Sequence, residues 1–84
     1  MGKRFYFNSR DDRTDLDPDG IELPDIAQAQ KEALLALGRM LQDDDGETLW
    51  RGEVWEVWVT DAPNGAGHVL FKLQLSATKP TEPA

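Results

Sequence analysis

The stretch EVWEVWVTDAPNGAGHVLFKLQLS, Glu53 to Ser76, decides the fold: two alternating segments flank a loop bearing proline and glycine. Successive side chains of a strand point to opposite faces. From Glu53 to Thr60 this sets Trp55, Val57 and Val59 against Val54, Glu56, Trp58 and Thr60. From His68 to Ser76 it sets Val69, Phe71, Leu73 and Leu75 against His68, Leu70, Lys72, Gln74 and Ser76. The pattern predicts a β-hairpin whose odd-numbered residues form the core face.

Directly paired residues of antiparallel strands share a face, so odd must pair with odd. A two-residue turn on Asn64 and Gly65 would pair Val59 with Leu70 and turn one core row outward. A three-residue loop of Pro63, Asn64 and Gly65 keeps the parity. Pro63 presets φ for a type I turn, Asn64 tolerates the second position, and Gly65 accepts the left-handed conformation that closes it. The expected pairs are Val59 with Val69, Val57 with Phe71, and Trp55 with Leu73.

The remaining chain must cover this hairpin. With 84 residues the expectation is one small α+β domain over residues 1–76, with a mobile acidic loop at 10–20 and a disordered tail at 77–84. A domain of this size buries only about 60% of its unfolded surface. The chain has no cysteine and one histidine, so neither disulfides nor a structural zinc site are expected to support it. Packing or self-association must do so.

A formal net charge of −7 argues against nucleic acid as a partner, because phosphate binding needs clustered lysine and arginine. No apolar run approaches the length that spans a bilayer, and the first residues lack a signal-peptide core. The expectation is a soluble cytoplasmic protein without membrane contact.

Lys3 to Ser9 reads as a strand with Phe5 and Phe7 on its core face. Ile21 to Leu23 is a candidate short extra strand. Asp25 is placed to cap a helix, with Gln28 completing a capping box. The helix is expected over Ile26 to Gln42, with Ile26, Ala29, Ala33, Leu34, Leu37, Met40 and Leu41 on one stripe and Leu35 outside it. Gly46 suits a left-handed helix stop, and Trp50 is expected to pack at an edge of the core. The result is one helix on a mainly antiparallel sheet of three or four strands, in the order β-α-β-β. The first strand lies either antiparallel beside the second hairpin strand or parallel beside the first, with the former preferred.

These features resemble a family of small alphaproteobacterial proteins defined as a domain of unknown function. The resemblance covers roughly residues 4–76. It rests on the aromatic strand Phe5-Tyr6-Phe7, on the turn at Asp19-Gly20, on the step Glu22-Leu23-Pro24-Asp25 into an alanine-rich helix, and on the closing hairpin. Its most specific piece is Gly-x-Glu-Leu-Pro-Asp at residues 20–25. The Asp-rich loop here is longer, and the first hairpin strand richer in tryptophan, than the family's usual pattern. The resemblance implies a fold and a bacterial cytoplasmic setting, and no mechanism.

Asp15, Asp17 and Asp19 followed by Gly20 have the opening spacing of a calcium loop. Ile26 then stands where the bidentate glutamate belongs, Pro18 intrudes, and no helix precedes. An acidic turn leading to a helix cap explains the same residues. His68 reads as a solvent-facing strand residue, Ser9 and Ser76 lack any nucleophile motif, and Glu53 and Glu56 point to opposite faces. No acid–base pair can be assembled, so no enzyme activity and no cofactor are expected.

The sheet face away from the helix carries Tyr6, Val54, Trp58 and Leu70 among Arg4, Glu56, Lys72 and Gln74. RNA-binding sheets display aromatics in this way, but the charge here has the wrong sign. Aromatics on a sheet face serve protein contacts equally well. The sequence therefore points to a non-enzymatic interaction module that binds a protein partner or a second copy of itself through these four residues. An acidic calcium-binding protein using the Asp15, Asp17 and Asp19 loop is the alternative.

Overall fold

The computed structural model describes residues 2–43 and 46–78. In chain order the elements are β1 (Lys3–Arg10), β2 (Thr14–Asp15), β3 (Ile21–Leu23), α1 (Ile26–Asp43), α2 (Glu47–Trp50), β4 (Trp55–Thr60), a 3-10 turn at Pro63–Gly65, and β5 (Val69–Leu75). The strands form one antiparallel sheet in the order β2-β1-β4-β5, with β3 also paired to β1. The fold is α+β, and among the described residues one main helix lies on a sheet of five strands rather than three or four. The expected tail at 77–84 lies mostly outside the described residues.

The first strand takes neither expected position. β1 lies antiparallel to β4, with Phe7 opposite Val59 and Ser9 opposite Val57. The reason is β3. Ile21–Leu23 runs back along the start of β1, pairing Phe5 with Ile21 and Lys3 with Leu23, and so reverses the chain before the helix begins. α1 then runs alongside β1 in the same direction. It delivers Trp55 beside the far end of β1, where Arg10 faces Glu56.

The hairpin keeps the expected parity and shifts its register by two. Val59 faces Phe71, Val57 faces Leu73 and Trp55 faces Leu75, while Thr60 faces Val69 across an irregularity. Leu70 is therefore an extra residue, a β-bulge that lets two residues oppose one. The loop is also longer than three residues. The Asp61 N–H donates to the His68 carbonyl at 3.2 Å, and the His68 N–H donates to Asp61 Oδ1 at 2.8 Å. Within it Asn64 (φ 58°) and Gly65 (φ 74°) are both left-handed, the conformation that asparagine and glycine tolerate best.

α1 begins as expected: Asp25 Oδ1 accepts the Gln28 N–H at 2.9 Å. It ends at Asp43, one residue beyond the expected Gln42, while Gly46, left-handed at φ 74°, stands at the N-cap of α2 rather than as the stop of α1. Ala29 and Ala33 are fully buried against Phe5, Val57 and Val59, and Leu37 and Met40 pack around them. Alanine at the closest approach lets the helix axis settle low over β4 and β3. The rest of the expected stripe is consequently left out, with Ile26, Leu34 and Leu41 exposed. α2 carries Thr48 and Leu49 into the core, and Thr48 Oγ1 accepts the indole N–H of the buried Trp55 at 3.0 Å. Trp50 does not join the core edge, because this short helix turns it outward.

Candidate interaction site

On the sheet face away from α1 the side chains form a grid. Tyr6 lies beside Thr60, Asn8 beside Trp58 and Lys72, and Arg10 beside Glu56 and Gln74. Asn8 and Thr60 are completely buried on this face. They are covered by the β2–β3 connection and by the β4–β5 loop, which are tied to each other where the Asn64 N–H donates to the Asp17 carbonyl at 2.8 Å.

Asp17 is the pin of this cover. Its Oδ1 accepts the N–H groups of Asp19 and Gly20, each at 3.0 Å, and its Oδ2 accepts the Phe7 N–H at 3.0 Å. Partial burial pushes this carboxyl upward. The three backbone donors, from Gly20, Phe7 and Asp19, together with the Arg4 charge, outweigh that and hold it below the usual carboxylate range. Both oxygens are thus occupied by backbone donors. Asp15 instead lies on β2, paired with Ser9 of β1, and among the described residues no three carboxylate or imidazole groups converge on a common point.

Glu56 is nearly buried and accepts from Gln74 Nε2 at 2.7 Å and from Arg10 at 2.6 Å, with Lys72 Nζ at 3.8 Å. The Gln74 hydrogen bond is the largest influence. With the Arg10 and Lys72 charges it holds the carboxyl low against the upward push of burial. The Arg10 guanidinium lies 6.0 Å from the Trp58 ring centre, within cation–π range. The exposed His68 ring meets Asp61 Oδ2 at 3.2 Å, so the pair closes the hairpin loop.

The four candidate contact residues do not form one patch. Tyr6 is half-buried beside Gly20, which leaves no room for a side chain between them. Trp58 is half-buried under Arg10, and Val54 is exposed ahead of β4. The bulge moves Leu70 out of the grid. It lines a cavity of about 460 Å³ with Phe5, Pro24 and Ile26, at the helix side of the sheet.

That cavity shows which way the exposed stripe of α1 looks. Ile26, Leu34 and Leu41 fall within about 80° of one another around a helix, and Ile26 shares the cavity with Leu70 of β5. A right-handed crossover from β3 through α1 to the parallel β4 puts the same flank on the β5 side. β5 is the outer strand there. Its helix-side residues Phe71, Leu73 and Leu75 are only half-buried, and Leu34 is 60% exposed. The sequence hides this surface, because the periodicity of α1 predicts that all its stripe is covered.

The opposite end of the sheet is acidic. Asp11, Asp12, Asp15 and Asp43 line an open cleft of about 450 Å³ together with Ser9, Arg13 and Met40. Among the described residues no helix is long and apolar enough to cross a membrane.

The model of a domain of unknown function, DUF6894, matches residues 4–76. The chain belongs to the DUF6894 family. No curated protein and no solved structure matches it. The matched span of this DUF6894 domain runs from β1 through β5, so it takes in the Asp17 pin, the α1 flank and the β5 edge alike.

Proposed function

We propose that this DUF6894 chain is a non-catalytic protein-interaction module whose contact surface is the β5 edge and the adjoining flank of α1. One observation carries the reading: an outer strand with a half-buried apolar row lies beside a helix flank whose Leu34 and Leu41 are exposed. Contiguous apolar surface of this kind marks interaction sites, and an outer strand offers unpaired backbone groups to a further strand. A bacterial cytoplasmic setting belongs to this reading and rests on the resemblance carried by residues 20–25.

The test is a photo-reactive residue placed at position 34 in the producing cell, with one at position 12 as comparison. Position 34 should give one discrete adduct that disappears when Leu41→Glu is added, and position 12 should not. Equal labelling at both positions, or none, would refute the reading.

A second surface is supported by the half-exposed Trp58 ring and the exposed Val54. If a partner binds there, Trp58→Ser abolishes the adduct-forming complex while Leu41→Glu leaves it intact.

A further inference from the structure

We infer that the occupant of the β5 edge is a second copy of this chain, its β5 running antiparallel to the first about a two-fold axis through Leu73. The inference rests on the interaction reading above and adds the identity and register of the partner.

A two-fold interface must be complementary to itself, and the sequence of β5 is. About Leu73, the segment Phe71-Lys72-Leu73-Gln74-Leu75 reads nearly the same in both directions. Pairing about that point sets Leu73 against its own copy, Phe71 against Leu75, and Lys72 against Gln74. The apolar row thus continues across the axis on the helix side, and no like charges meet on the other. Gln74 donates its amide N–H to Glu56, which leaves its amide oxygen as an acceptor for the incoming lysine.

Neighbouring registers are poorer. A slip of one residue puts the apolar row of one copy against the polar row of the other. A slip that centres the axis on Lys72 sets two lysines opposite each other. One centred on Gln74 pairs Phe71 with Ala77 and abandons the aromatic contact.

Two further observations favour self-pairing. Long outer strands are ordinarily blunted by proline or charge, yet Val69–Leu75 has no proline, and its single charge, Lys72, leans inward to Glu56 at 3.8 Å. The electrostatics also favour this edge over any other meeting point for two chains of formal charge −7. β5 carries no acid, and the acidic cleft opens beside β2, the other end of the sheet order. Two copies joined at β5 hold their most negative surfaces farthest apart.

The chain contains no cysteine, so single substitutions report the register directly. Across the proposed axis, residue 73 meets its own copy, whereas residues 71 and 75 lie four residues from theirs, about 13 Å and beyond disulfide reach. Mild oxidation should convert the Leu73→Cys chain to a covalent dimer and leave the Phe71→Cys and Leu75→Cys chains uncoupled, with circular dichroism confirming that all three are folded. The unaltered chain should sediment at twice its 9.4 kDa mass, more completely as salt is raised. Sedimentation as a monomer at the highest soluble concentration, or equal coupling at all three positions, would overturn the inference. A monomer that still gives a discrete adduct of another mass through position 34 would overturn the second copy alone and leave the broader reading standing.

Discussion

Asn8 and Asp17 are joined side chain to backbone, the Asp17 N–H donating to Asn8 Oδ1 at 3.0 Å, so that the connection carrying Asp17 covers the buried Asn8 on the sheet face away from α1. Asn8 Nδ2 meanwhile donates to Thr60 Oγ1 at 3.2 Å and to the Trp58 carbonyl at 3.3 Å. A fully buried amide with its donors and acceptor all engaged is costly to remove, because each partner left behind stays desolvated and unpaired. Asn8→Ala should lower stability by about 2–3 kcal/mol, read as the midpoint shift in urea unfolding. A loss under about 0.5 kcal/mol, the size of an ordinary surface change, would show that the loop does not lie over this residue.

Asp17 makes stability depend on acid. Its folded pKa is depressed by the donors from Gly20, Phe7 and Asp19. The carboxylate therefore contributes fully above the unfolded value near pH 4, and its contribution is lost as pH falls through the lower folded value. Asp17→Asn should cost about 1–3 kcal/mol at pH 7. The gap between variant and parent should close in strong acid. A gap that stays constant from neutral pH into acid would disprove the charge-assisted anchoring.

Gly20 sits at φ +71°, and a Cβ built there would lie 2.8 Å from Arg4 Cγ, 2.8 Å from Tyr6 Cε2 and 2.9 Å from the Phe5 carbonyl oxygen. Left-handed backbone already disfavours other residues, and the carbonyl cannot swing aside without breaking the β1–β3 pairing. Gly20→Ala should destabilise by about 2 kcal/mol or more. Thermal unfolding would reveal it as a drop of several degrees. An unchanged midpoint would contradict the close approach.

Trp55 offers a cleaner case of a single hydrogen bond. Its indole N–H reaches Thr48 Oγ1 at 3.0 Å with both residues buried. Thr48→Val keeps the shape and removes the acceptor, at an expected cost of about 1–3 kcal/mol. Acrylamide quenching of tryptophan emission should change little, since the exposed Trp50 dominates it in both proteins.

Glu56 and Lys72 should respond unequally. Glu56→Ala strips the half-exposed Arg10 and the Gln74 amide of their acceptor, for about 1–3 kcal/mol. Lys72→Ala removes a partner that is 44% exposed and 3.8 Å away, for about 0–1 kcal/mol. Comparable losses in the two variants would mean that the cluster is held by Lys72 rather than by Arg10 and Gln74.

What could be read from the residues alone divides along a physical line. The capped helix start at Asp25, the helical stretch and the hairpin parity depend on local pattern, and they stand. The hairpin register does not follow, because neither the Leu70 bulge nor the Asp61–His68 closure of the longer loop is written in the alternation of the strands. The short strand at Ile21–Leu23 is legible, but the strand order is not, because three residues are too few to show that it pairs with β1 and reverses the chain. The central role of Asn8 was invisible for a similar reason. Alternation puts a polar residue there on an outward face, and only the fold of residues 11–20 and 63–65 turns that face into an interior. The exposure of Leu34 and Leu41 does not show in the sequence, because helical periodicity counts apolar residues without knowing how many strands lie beneath them.

Pinning a loop at one point has a consequence for how its length can change over evolutionary time. Between Asp17 and Gly20 every backbone donor used by the Asp17 carboxylate is fixed in spacing, so an inserted residue would break the set. Between Arg10 and Asp17 the chain is held mainly by local contacts: the short β2 pairing, and a turn in which Asp11 Oδ1 accepts the Arg13 N–H and the Asp11 N–H donates to the Arg13 carbonyl. Insertions there can be absorbed without disturbing what lies downstream. Asp11, Asp12 and Asp15 fall on that permissive side, where added length and charge leave the domain beneath unchanged.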